Sequence, residues 1–230
     1  MLSIKGLQKT SLIDYPDMIS TVIFLSGCNL NCPYCQNPDL IKKSPPSIKE
    51  EDIINYLKTK KEWIDGVVIS GGEPSIHKEL PNFLKKIKQL NFLVKLDTNG
   101  TNPEMIKDLI KNKLVDYIAM DIKAPLNKYN KVTKAKVNSK DIEESIDIIK
   151  NSKIDYEFRL TCVPSLTKKE DIENIGKLLK NSKRFYLQQF RNKITFDKKF
   201  EKEATYSKEE LNEFKDILNK HITEVNIRNS

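Results

Sequence analysis

Three of the four cysteines, Cys28, Cys32 and Cys35, stand in the spacing C-x3-C-x2-C just past the apolar run Thr21 to Leu25. Thiolates so close in sequence can fold toward one metal centre within a short loop. The number of ligands separates the candidate chemistries. A structural zinc site normally takes four protein ligands, whereas an iron–sulfur cube held by three cysteines keeps one iron open for another ligand. No second C-x2-C pair and no nearby histidine completes a zinc set. His77 and His221 belong to no motif, which disfavours a histidine general base. Cys162, between Thr161 and Val163 in an apolar run, reads as a small buried hydrophobe.

Other polar motifs follow apolar runs in the same way. Ser70–Gly71–Gly72–Glu73–Pro74 removes two side chains in succession, as a turn or a close approach of backbone to ligand requires. Asp97 and Thr98 open Asp97–Thr98–Asn99–Gly100, where they either bind a cation or cap the next helix. Asp121 and Lys123 are two apart and share one strand face, as an ion pair or as opposite charges lining a pocket. Tyr34 is either a buried aromatic or a ligand contact.

The elements that must position these residues alternate. Strand-like runs are Thr21–Leu25, Val67–Ser70, Phe92–Leu96, Tyr117–Ile122, Tyr156–Val163 and Arg184–Leu187. Between them lie helical stripes, Leu80, Phe83, Leu84 and Ile87 in one, Ile172, Ile175, Leu178 and Leu179 in another. Capping boxes are read at Ser47/Glu50, Thr167/Glu170 and Ser207/Glu210. This alternation predicts an α/β fold, a parallel sheet with crossover helices, of about six units against the eight of a closed barrel. Loops after the carboxyl ends of such strands carry active sites, and the motifs above all fall there. Residues 1–20 lead into the first strand, residues 191–206 are charged and weakly patterned, and a helix from Ser207 and a strand at Ile222–Ile227 finish the chain. One domain over 1–230 is expected, with a core of about 15–190 and a C-terminal extension of 191–230.

The stretch Gly27–Cys28–Asn29–Leu30–Asn31–Cys32–Pro33–Tyr34–Cys35–Gln36–Asn37–Pro38, with an aromatic before the third cysteine, resembles the signature of the radical S-adenosylmethionine enzymes. Within them it is most similar to activating enzymes of glycyl-radical proteins, especially activators of anaerobic ribonucleoside-triphosphate reductase. The resemblance implies a partial (β/α)6 TIM-like barrel. It implies a 4Fe–4S cluster on Cys28, Cys32 and Cys35, with S-adenosylmethionine chelating the open iron and cleaved to a 5′-deoxyadenosyl radical. That radical takes a hydrogen atom from a partner's glycine, so no catalytic acid or base is needed. It further implies cofactor contacts along Tyr34, Cys35 and Gln36, at Gly72, and at Asp121, Ile122 and Lys123, with Gly71, Glu73, Asp97 and Thr98 in a second rank. The implied partners are a glycyl-radical protein and an electron donor such as flavodoxin or ferredoxin. Two departures stand out. Leu187–Gln188–Gln189–Phe190–Arg191 lacks the histidine that related activators place against the nucleoside, and Asp17 follows Pro16 where many have glycine.

Composition sets the outer bounds. At 230 residues the chain can bury one substantial core. No apolar run approaches the roughly 18 residues of a membrane span, and Met1 to Thr10 lacks the apolar stretch of a secretory leader. A cytoplasmic location is expected, where clustered cysteines mean metal or redox work rather than disulfides. Net charge is +8, from 40 lysines and arginines against 32 aspartates and glutamates. The lysines scatter along helix-like faces, as at Lys60–Lys61 and Lys85–Lys86, so solvated surfaces account for them better than a nucleic-acid site. Two rival functions share part of this evidence. One is a radical enzyme acting on a small molecule such as a deazapurine precursor; the other is a zinc-binding nucleic-acid module, which leaves the glycine pair and Asp121/Lys123 unexplained.

Overall fold

The computed structural model describes residues 2–42 and 44–228. Eight strands form one sheet in chain order: β1 Ile4–Ser11, β2 Ser20–Leu25, β3 Gly66–Gly71, β4 Leu93–Thr98, β5 Tyr117–Asp121, β6 Asp155–Cys162, β7 Arg184–Gln189 and β8 Glu224–Arg228. β1 is antiparallel to β2 and all later neighbours are parallel. β8 and β1 do not pair, so the barrel is partial, as expected. The crossovers carry α1 Glu50–Lys58, α2 Leu80–Gln89, α3 Pro103–Lys111, the short α4 Tyr129–Thr133, α5 Ser139–Asn151, α6 Lys169–Leu178 and α7 Lys208–Leu218. The six strand-like runs are β2 to β7, the expected C-terminal strand is β8, and the stripe Leu80, Phe83, Leu84, Ile87 buries completely against the sheet.

β1 is the strand the sequence conceals. Its residues IKGLQKTS carry little apolar alternation, because an edge strand needs only one covered face and its lysines discourage pairing with other chains. β2 supplies its order through the antiparallel ladder and Thr21 Oγ1, which donates to the Lys9 carbonyl at 2.8 Å. Downstream, Asp17 adopts φ 60°, the left-handed conformation that glycine would take without strain and that aspartate tolerates better than most residues. The entry turn is therefore kept despite the substitution. Of the three capping boxes, Ser207/Glu210 forms reciprocally. At α6 the box shifts by one residue, Asp171 accepting from the Lys168 amide while the Thr167 hydroxyl accepts from Val163. At α1 the cap is Lys49, and Glu50 accepts instead from the Leu2 amide and from Lys86.

Period-two alternation sorts each strand into an outer face, buried under the helices, and a face lining the barrel. Val94, Leu96, Ile118, Met120, Phe158 and Leu160 point outward into the main core. Inside, Tyr15, Val22, Val68, Tyr117 and Ala119 form an apolar plug. Beside it sits a polar group that the C-terminal strand completes. Glu157, fully buried, receives both Arg228 guanidinium nitrogens at 2.6 and 2.9 Å and the Tyr117 hydroxyl at 2.8 Å. The Arg228 guanidinium also stacks 3.4 Å from the centroid of the Tyr186 ring. Arg228→Met should destabilise the fold by about 2–3 kcal/mol, below the full cost of orphaning a buried carboxylate because Arg228 retains some solvent contact. Urea unfolding checks this, and Glu157→Gln in the same chain should recover most of the loss.

Candidate active site

The carboxyl ends of β2 to β6 open into one cavity of about 200 Å³. Its lining includes Cys28, Cys32, Cys35, Tyr34, Gln36, Gly71, Gly72, Glu73, Asp97, Thr98, Asp121 and Lys123, so almost every residue singled out by sequence converges there. Ile122 does not. It stands between two lining residues but points into the core, fully buried, with its amide donating to the Arg159 carbonyl at 2.8 Å. Cys162 is also buried away from the cavity.

The cysteine loop is held by main-chain hydrogen bonds on all sides. The amides of Gly27 and Cys28 donate to Leu40 and Ile41, that of Asn31 to Thr133, and that of Cys35 to Cys32. Across the barrel opening, residues 191–197 reach over from the end of β7. The Phe196 and Asp197 amides donate to the carbonyls of Cys35 and Pro33 at 3.0 and 2.8 Å, and Gln36 Nε2 donates to the Arg191 carbonyl at 2.7 Å. This clasp ties the cysteine loop after β2 to the segment after β7. Gly71 and Gly72 are required by the same close packing. A Cβ on either would lie 2.2 Å from a carbonyl oxygen, that of Leu25 or of Gly27, and Gly71 holds φ 122°.

Glu73, 1% exposed, ties the glycine motif to the loop after β4. Its carboxylate accepts from the Thr98 hydroxyl at 2.7 Å, the Asn99 amide at 2.6 Å and the Ser75 amide at 3.0 Å. Burial outweighs these bonds and raises its pKa. Thr98 is thus a brace; the cap of α3 is Asn102, whose side chain accepts from Met105.

Charges alternate across the cavity floor. Lys95 meets Asp97 at 2.5 Å, Asp97 meets Arg159 at 3.5 Å, Arg159 Nε donates to Asp121 at 2.9 Å, and Asp121 meets Lys123 at 3.3 Å. Burial alone would push Asp121 up, but Arg159 and Lys123 outweigh it and hold the carboxyl down at about 2. Asp97 is lowered likewise, against burial, by Arg159 and Lys95. Burial pushes the Cys28 thiol up to about 11 and raises Cys32, so metal binding there must displace protons. Sequence reading missed Lys95 and Arg159. The available signal was charge recurring at period two, Lys95/Asp97 and Glu157/Arg159, inside runs otherwise apolar enough for a core.

The residues suit a cluster and a zwitterionic ligand. Three thiols open into the same space as three carboxylates and two cationic groups, and the Leu30 amide donates to Cys28 Sγ at 3.4 Å, the kind of contact that tunes cluster potential. Among the described residues no three His, Cys, Asp or Glu side chains could together hold a single metal ion. A cube binds each cysteine through a different iron and needs no such convergence.

Comparison with known proteins agrees. The profile of the Radical SAM superfamily matches residues 22–179. A Methanocaldococcus jannaschii protein that carries the provisional name of glycyl-radical enzyme activating enzyme is 39% identical over 230 residues, 98% of this chain and 95% of its own. The pyruvate formate-lyase-activating enzyme of Clostridium pasteurianum is 29% identical over 185 residues, 77% of this chain and 76% of its own. Among solved structures, Streptococcus suis SuiB bound to precursor peptide SuiA superposes with a TM-score of 0.70 at 16% identity, covering 89% of this chain and 48% of SuiB, a likeness of fold.

Proposed function

Because this chain belongs to the radical SAM superfamily, we propose that Cys28, Cys32 and Cys35 hold a 4Fe–4S cluster and that the protein activates an anaerobic ribonucleoside-triphosphate reductase. The broader activity, activation of glycyl-radical enzymes, follows from one relative that matches nearly end to end and a second that matches over about three quarters of each chain. One observation carries the site assignment: three thiols share a cavity with the Asp121, Lys123 and Arg159 charges at the carboxyl ends of the strands.

When bound, the reduced cluster and S-adenosylmethionine supply the radical chemistry, by cleavage of the sulfonium and abstraction of a glycine Cα hydrogen. The chain's own residues bind and orient. The Gly71–Gly72 main chain, which lines the cavity, would hold the methionine amino end of the cofactor. Lys123 and Arg159 suit a carboxylate, and Asp121 suits an ammonium or ribose hydroxyls. Tyr34, 5% exposed, walls the cavity against water. No residue has to give or take a proton, which is consistent with a site whose Asp97 and Asp121 carboxylates are tied in ion pairs. Among the described residues no helix is long and apolar enough to cross a membrane.

The test is direct. Anaerobically reconstituted protein, S-adenosylmethionine, a reductant and the same organism's anaerobic reductase should yield a carbon-centred glycyl signal on the reductase by electron paramagnetic resonance. Turnover of a small substrate with no radical on any protein would refute this reading.

A further inference from the structure

The radical reaction needs an electron, and one surface is charged to receive its carrier. Residues 122–140 contain six lysines and no aspartate or glutamate. They run from the end of β5 through α4 to the start of α5. Lys123 is inside the cavity beside Asp121, and Lys128 pairs with Asp171 at 2.6 Å. The other four, Lys131, Lys134, Lys136 and Lys140, are exposed, and their ammonium groups make no ion pair or hydrogen bond with any described residue. Unpaired like charges on one short segment repel one another, and an acidic partner relieves that repulsion.

Position narrows the partner. The Thr133 carbonyl accepts from the Asn31 amide at 2.9 Å, and Asn31 directly precedes Cys32. A hydrogen-bonded route therefore runs from Lys134 through Thr133 and Asn31 to a proposed cluster ligand. None of residues 124–140 lines the cavity, so the lysines are not themselves part of the proposed cofactor site. Nucleic acid is the poorer occupant, since the segment has no arginine and its one aromatic, Tyr129, is 1% exposed.

We propose that Lys131, Lys134, Lys136 and Lys140 form the docking face for an acidic, low-potential one-electron carrier protein. The assignment rests on the cluster reading above. One electron leaves the carrier's reduced group and enters the cluster; no bond forms or breaks and no proton moves.

The experiment compares the reconstituted protein with a variant carrying Lys131→Gln, Lys134→Asn, Lys136→Gln and Lys140→Gln. Asparagine suits position 134, where the backbone holds φ 51°. Association with reduced flavodoxin, and in a second arm reduced ferredoxin, is followed by stopped-flow at low and high salt. The variant should associate about tenfold more slowly with at least one carrier at low salt, and the difference should shrink as salt rises. Release of 5′-deoxyadenosine driven by dithionite, which needs no docking, should be unchanged. Equal association rates with both carriers would overturn the proposal. So would an equal loss of the dithionite-driven reaction, or a loss confined to binding of the glycyl-radical protein or of a single-stranded oligonucleotide. Absence of dithionite-driven release from the unmodified protein would instead refute the cluster reading.

Discussion

Alanine at Cys28, Cys32 or Cys35 should reduce iron content sharply and bring 5′-deoxyadenosine release down to background, each substitution alone sufficing. The reason is the ligand count. In the proposed cluster, with three protein thiolates and one open iron, no cysteine is spare, and loss of any one leaves two irons without a protein ligand. The main-chain bonds that hold the loop do not involve these side chains, with the single exception of Cys28 Sγ accepting from Leu30. The variants should therefore keep near-native unfolding midpoints without metal, which separates loss of the cluster from loss of the fold. Cys162→Ala provides the contrast. It removes a fully buried thiol from the end of β6 and should cost about 1 kcal/mol of stability with iron content intact. Iron and sulfide analysis beside denaturation curves would check all four. Loss of iron with Cys162→Ala alone would overturn the ligand assignment.

Arg159→Met is expected to be the most disruptive substitution outside the cysteines. Arg159 stands between Asp97 and Asp121, and its removal leaves two half-buried carboxylates sharing only Lys95 and Lys123. Breaking a fully buried pair costs about 3–5 kcal/mol, and the partial exposure of both carboxylates brings this loss to about 3 kcal/mol. Arg159→Lys should recover part of it, since an ammonium restores charge but cannot fork between two carboxylates. The pH dependence carries a sign of its own. Asp121 titrates at about 2 in the folded chain against an ordinary value of 3.8. Its ionised form thus contributes stability that is fully present above about pH 4 and disappears as pH falls through about 2, worth about 2 kcal/mol. Without Arg159, burial is opposed only by Lys123, so that acid limb should flatten. Urea midpoints measured across this window would check it, and an unchanged limb would show that Arg159 does not set the Asp121 charge.

What the sequence disclosed followed from local chemistry. Apolar β-branched runs located β2 to β7, and the polar motifs after them assembled into one cavity because parallel strands end on the same side. Ser207 and Glu210 cap α7 as their spacing foretold. The features that stayed hidden depend on distant partners. β1 exists through its ladder to β2, and Glu73 owes its bracing role to Thr98 and Asn99 on another strand's loop. Arg159 acquires meaning only when β4 and β5 bring Asp97 and Asp121 to it. The clasp at residues 191–197 was illegible because two of its three bonds run from main chain to main chain, which any residue except proline could donate.

That clasp also fixes an order of events in the making of the protein. Residues 33–36 meet partners more than 150 positions later, so this side of the loop is fastened only once residues 191–197 have been made, after its bonds to Leu40, Ile41 and Thr133 can already form. A nascent polypeptide stalled before Arg191 would keep the loop's bonds to Leu40, Ile41 and Thr133 but lack all three bonds of the clasp, leaving the Cys35 side unfastened.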